Sequence, residues 1–138
     1  VPPEKPEDIL ARAHAAVASL KEGYREHLRS DMETLRDAAL RLEEAAETGG
    51  SGEEAVQELF VTSHNIKGQA GTFGYELITE VSDILCELLR EKPPLTEETL
   101  ERVRMLVDTL GELVDQDIEG AGGALGQKLL ERLRKIAA

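Results

Sequence analysis

The chain has 138 residues, room for one domain with a modest core. Its apolar fraction of 41% includes only two Phe, two Tyr and no Trp, so the interior is expected to be aliphatic. A formal net charge of −12 argues against nucleic acid and anionic membrane surfaces as partners, because both demand a basic face.

Val1 to Lys5 is rich in proline and reads as loose, and the absent initiator Met makes Val1 either a processed end or the edge of an excised piece. Pro6 suits a first helical position, and Glu7 and Asp8 favour a helix start. From there Leu10, Ala13, Val17, Leu20, Tyr24, Leu28, Met32, Leu35, Ala39, Leu42 and Ala46 recur at threes and fours. The phase holds through Gly23, which predicts one long helix to about Glu47, bent or straight at the glycine. Such a helix is roughly 60 Å long, about twice the later ones, so its first half must bury its stripe elsewhere. It folds over one end of the remaining helices or pairs with a second molecule, and the reading adopted is an overhanging or bent extension. Arg12 and His14 interrupt the only stretch that imitates a signal peptide, and no run approaches the ~20 apolar residues of a membrane span.

Thr48-Gly49-Gly50-Ser51-Gly52 is a break, and Ser51 with Glu54 is expected to form a capping box for a second helix. Taken as a helix from Ala55 to Phe73, that segment has an apolar stripe of Ala55, Leu59, Ile66, Ala70 and Phe73, with the small Thr62 and Ser63 between. Gly74 is expected to end it as a left-handed cap. A third helix from about Tyr75 to Arg90 should bury Leu77, Ile78, Val81, Ile84, Leu85, Leu88 and Leu89 before Lys92-Pro93-Pro94 stops it. Cys86 lies within that run and reads as a small hydrophobe. As the only cysteine it can form no internal disulfide, which fits a reducing compartment and a cytoplasmic location. Thr96 should cap the fourth helix, with Leu95 stapled against Leu100 and a stripe of Val103, Leu106, Val107, Leu110, Leu113 and Val114. Gly120, Gly122 and Gly123 mark a flexible joint, followed by a short amphipathic helix with apolar residues at 125, 129, 133 and 136. The fold class is therefore all-α: four antiparallel helices in a bundle, with an N-terminal helical extension and a C-terminal amphipathic helix over 120–138; the division into an extension over 1–29 and a bundle over 30–119 is what the family resemblance given below implies.

The stretch Ser63-His64-Asn65-Ile66-Lys67-Gly68-Gln69-Ala70-Gly71-Thr72-Phe73-Gly74 carries the chemistry. At about 100° per residue His64 lies roughly 200° from both Thr62 and Ile66, so its ring points to solvent. Lys67, Gly68 and Gly71 are three, four and seven residues further on and share that face. A glycine inside a helix costs roughly 0.5 to 1 kcal/mol relative to alanine, so two on an exposed face imply that something must approach the backbone there. A neutral imidazole, with a free pKa of about 6.5, is a competent nucleophile for phosphorus near neutral pH. Lys67 would balance charge on the equatorial oxygens of a loose phosphoryl transfer, while Gly68 and Gly71 leave clearance for a partner. Phe60 and Val61 flank the histidine and suit a docking surface. His14 and His27 lack such surroundings and read as incidental surface residues.

His64-x-x-Lys67-Gly68 followed by Gly71 and Gly74 resembles the signature of histidine-containing phosphotransfer (HPt) domains of two-component phosphorelays. The resemblance implies a four-helix bundle with a phosphorylatable histidine on a central helix, shuttling a phosphoryl group between receiver-domain aspartates without a kinase or ATP site. It implies His64 as phosphoacceptor, response-regulator receiver domains and a hybrid sensor kinase as partners, and no cofactor of its own, with Mg2+ expected only in the partner receiver. Some members place an amide on the next helix to hold the imidazole; counting from His64 puts Cys86 there, a poor substitute, so that role stays unassigned. Three other readings compete. A di-iron bundle enzyme needs Glu-x-x-His pairs, whereas Ala11, Tyr24 and Val61 precede the three histidines by three. A sensor-kinase dimerisation module would have an acidic residue after the histidine and a nearby Pro, where this chain has Asn65 and none. A helical adaptor that has lost the chemistry remains the third.

Overall fold

A computed structural model describes residues 2–138; of the segment 1–5, Val1 lies outside the described residues. Five helices follow one another: α1 (Pro6–Glu47), α2 (Glu53–Ala70), α3 (Glu76–Arg90), α4 (Glu97–Asp115) and α5 (Gly123–Ala137), with a single 3-10 turn (Gly71–Phe73) prolonging α2. Among the described residues there is no strand. α1 packs on α2 and α4, and α3 on α2 and α4, so the four close into a ring around one aliphatic core. Leu35, Leu59, Ile66, Ile78, Leu85, Leu106 and Leu110 are all fully enclosed in it. No helix among the described residues is long and apolar enough to cross a membrane.

α1 runs unbroken for 42 residues, about 63 Å, and keeps its course through Gly23. Its stripe is buried from Tyr24 onward, at Leu28, Met32, Leu35 and Leu42, with Ala38 buried in place of the expected Ala39, which is itself half-buried. Before that, Leu10, Val17 and Leu20 stand 58%, 63% and 66% exposed. The extension is thus an overhang, and α1 joins the bundle at Lys21 to Arg25, ahead of the start near residue 30 that the family resemblance implies.

Three local expectations are corrected. The capping box is absent: Gly52, at φ +67, is the N-cap of α2, and Ser51 only approaches the Glu53 amide at 3.4 Å. A Cβ at position 52 would also meet Leu42 and Leu95 at 2.8 and 2.9 Å, so the helix start is set by that left-handed backbone with both leucines packed close against it. Thr96 does cap α4, accepting from the Thr99 amide at 3.2 Å.

The second correction concerns the glycine joint, which is tied down. The Gly120 amide donates to the Gly74 carbonyl at 2.6 Å and the Gly120 carbonyl accepts from the Leu77 amide at 2.9 Å. The latter bond satisfies one of the four amides that the first turn of α3 leaves unpaired. Around it, the Tyr75 hydroxyl donates to Asp117 Oδ1 at 2.6 Å and accepts from Arg25 Nε at 3.1 Å, and Arg25 Nη2 donates to Asp117 Oδ2 at 2.7 Å. Tyr24 stacks on Phe73 at 4.5 Å between ring centres. α1, the end of α2 and the α4–α5 loop are thereby locked into one knot.

Third, α5 follows its apolar spacing at Leu129, Leu133 and Ile136, which are buried or half-buried, but departs from it at Leu125. It buries Gly126, Leu130 and Leu133, largely against α3, and leaves Leu125 79% exposed. The reason is close approach: a Cβ on Gly126 would sit 2.1 Å from the Ala121 carbonyl oxygen and 3.7 Å from Leu77. The bare backbone at 126 turns that side inward and rotates Leu125 out.

Candidate functional site

α2 is held from behind. Ile66 and Ala70 are fully buried, and Ser63, also fully buried, donates its hydroxyl back to the Leu59 carbonyl at 2.7 Å. Cys86 of α3 meets that hydroxyl at 3.3 Å and the Phe60 carbonyl at 3.8 Å. Burial pushes the Cys86 thiol above its ordinary pKa, with Ser63 acting in the opposite sense, so it is an inert brace. It has no contact with the imidazole. The position that an orienting amide would occupy instead stiffens the inner face of the helix.

With that face fixed, His64 projects into solvent. Its ring lies against the half-buried Phe60, 6.1 Å between centres and 16° from parallel. The Arg90 guanidinium, from the last turn of α3, lies over the same Phe60 ring at 5.6 Å. The imidazole thus has an aromatic neighbour one turn before it, and that neighbour carries a cation. Val61, next to Phe60, is 45% exposed.

Lys67 is one turn beyond His64 and is ion-paired: its Nζ lies 2.7 Å from Asp83 Oδ1 on α3. That pairing raises the lysine pKa, so the ammonium keeps its proton across the physiological range. Space around a Cβ at Gly68 is open, and at Gly71 the nearest atom is Thr79 Oγ1 at 3.5 Å. Neither glycine is there to admit a neighbouring helix of this chain. Gly74 adopts φ +86, which only glycine takes without strain, and closes the 3-10 turn through its amide to the Gly71 carbonyl at 3.1 Å.

His64, Phe60, Val61, Lys67 and Gly68 thus share one region of the α2 surface, with Gly71 at its far end. Sequence reasoning did not find Asp83 and Arg90, which complete the site from α3. Their signal was available: Asp83 and Arg90 are one heptad apart on one face of α3, but pairing that face with α2 requires the interhelical register. Among the described residues no three His, Cys, Asp or Glu side chains converge in a way that would hold a metal ion.

Residues 19–116 match the Hpt domain family, and the chain belongs to it. It is a phosphotransfer module of the two-component signalling type, a class whose members work with receiver domains and kinases. The chain is also similar to Chemotaxis protein CheA of Halobacterium salinarum, 31% identical over 103 residues, which cover 72% of this chain and 14% of that protein. This chain therefore spans only a small part of the length of that relative. No solved structure matches it.

Proposed function

We propose that the chain is a phosphorelay intermediate in which His64 accepts a phosphoryl group from a receiver-domain aspartate and passes it to another. The unprotonated ring nitrogen attacks the phosphorus of the aspartyl phosphate in line. A P–N bond forms as the P–O bond to the acyl group breaks, and the aspartate leaves as a carboxylate. Transfer to the second receiver runs the same exchange in reverse. Lys67, held on the face by Asp83, supplies the charge that balances the equatorial oxygens. Phe60 and Val61 form the apolar contact, and Gly68 and Gly71 give the partner's loops access. Mg2+ is needed only in the receiver, and the carrier has no ATP site of its own.

The observation that carries this reading is an exposed imidazole, with an aromatic neighbour one turn before it, beside backbone with open space above it. Incubation with a phosphorylated receiver domain should put acid-labile phosphate on the chain. His64→Gln should abolish the label, and label that persists in that variant would refute the assignment. A second reading concerns the donor: members of this family also work with kinases, which would make a kinase the phosphoryl source. Labelling from ATP and the cognate kinase, compared with labelling from the receiver, separates the two directions.

A further inference from the structure

The overhang of α1 is a regular helix whose apolar stripe, at Leu10, Val17 and Leu20, stands exposed with no packing partner among the described residues. Helices of this length are marginal in water without a packed face. Leu10, Ala13, Val17, Leu20 and Tyr24 alternate spacings of three and four, the pattern of a helix seam between two partners. At Tyr24 the same seam passes into the bundle core. A parallel pairing of two such helices would therefore drive two bundles into each other at Tyr24, where each seam is already covered.

We infer that this overhang pairs antiparallel with the overhang of a second copy of the chain, making a two-fold symmetric dimer. The register is set by length: the helix starts at Pro6 and its free seam ends at Tyr24, so each helix start lies opposite the point where the other enters its bundle. In that register Leu10 packs on the partner's Leu20, and Ala13 on the partner's Val17, each twice by symmetry. The flanking positions fit by size as well. Lys21 is held by Glu119 of its own bundle, whereas Ala16 faces its own copy across the axis, where small side chains let the backbones approach. Ile9 falls beside the partner's Gly23, which has no atom of its own chain within 4 Å of a Cβ position and is otherwise an unexplained weak point in the helix. One surface satisfying apolar and size matching against itself under a single two-fold points to a second copy as occupant.

Sedimentation of the full chain over a wide concentration range tests this, with a dimer mass expected. Leu10→Glu with Val17→Glu, both outside the bundle, should raise the dissociation constant more than about tenfold while leaving phosphoryl acceptance at His64 intact. Register is read by cysteine cross-linking, since the native Cys86 is fully buried. Ala16→Cys should cross-link to itself under mild oxidation. Leu10→Cys should not, but should cross-link when mixed with Leu20→Cys. A chain that stays monomeric at every concentration overturns the proposal and leaves the stripe to another occupant. Self-cross-linking of Leu10→Cys as fast as that of Ala16→Cys overturns the antiparallel register.

Discussion

Gly68 separates a structural role from a functional one, because the two predict opposite signs. A Cβ at this position meets no atom within 4 Å, and the residue lies inside α2. Replacing it with alanine therefore adds no clash and removes the helix cost of glycine, a gain of about 0.5 to 1 kcal/mol. For a chain of this size that corresponds to a rise in melting temperature of about 3 °C. Gly68→Gln should retain much of that gain, as glutamine is a good helix former. Its side chain starts one turn from the imidazole, with Cβ atoms roughly 5–6 Å apart, and projects into the path of an incoming phosphorus. A displacement of about 1 Å in such a reaction costs on the order of a hundredfold in rate. Thermal denaturation and receiver-to-histidine transfer, measured on the same two variants, should show stabilised proteins with Gly68→Gln slowed by that order. A destabilised Gly68→Ala, or a Gly68→Gln with normal transfer in both directions, would refute the clearance argument.

The same substitution at Gly126 should do the reverse: with a Cβ 2.1 Å from the Ala121 carbonyl oxygen, Gly126→Ala should cost about 1–3 kcal/mol and loosen α5, read as faster amide exchange along Leu130 and Leu133. Tyr75→Phe removes a hydroxyl that both donates to Asp117 and accepts from Arg25, and should cost about 1–2 kcal/mol in denaturant titration, with Arg25 and Asp117 still paired. Lys67→Ala should slow transfer roughly tenfold or more without lowering the melting temperature, since the ion pair it loses is on the surface. Burial, with Asp31 nearby, pushes the Tyr24 phenol from 10.0 up to about 12. The folded state holds that proton more tightly than the unfolded one, so the associated stability is complete below pH 10.0 and is lost as pH rises toward about 12. Tyr24→Phe should flatten the alkaline limb of the stability profile across that window.

The helices were legible because their apolar residues keep a strict period over long stretches, and the exposed direction of His64 followed from the same wheel. Features that depend on how two elements meet were not. Gly52 starts α2 because its backbone is left-handed at φ +67, with Leu42 and Leu95 packed close against it, and neither feature is visible from the capping pattern around Ser51. Of the 125, 129, 133, 136 spacing on α5 only Leu125 is exposed, because Gly126 beside it sits on a carbonyl of the preceding loop and takes the inward side. The linker at Gly120 looks flexible by composition, yet its amide and carbonyl are the partners that the α2–α3 corner lacks. At the site, Lys67 was readable as a cation, whereas its pairing with Asp83 required the register of α2 against α3.

That pairing bears on how an acidic protein receives an acidic partner. In the relay proposed above, a formal charge of −12 makes the chain as a whole repel an acidic receiver, and the Debye length of about 8 Å at physiological salt lets only nearby charges count in the complex. Around His64 the nearby charges nearly cancel: Lys67 is matched by Asp83, and Arg90 by Glu87. Contact must then come from Phe60 and Val61, with the cations already placed but compensated. An incoming phosphoryl dianion changes that balance, because it offers Lys67 and Arg90 more charge than either carboxylate does. Neutralising Asp83 as Asp83→Asn should accordingly tighten binding of the phosphorylated receiver more than that of the unphosphorylated one. Equal tightening for both would mean that Asp83 only adds to the general repulsion and has no part in presenting Lys67 to the phosphoryl group.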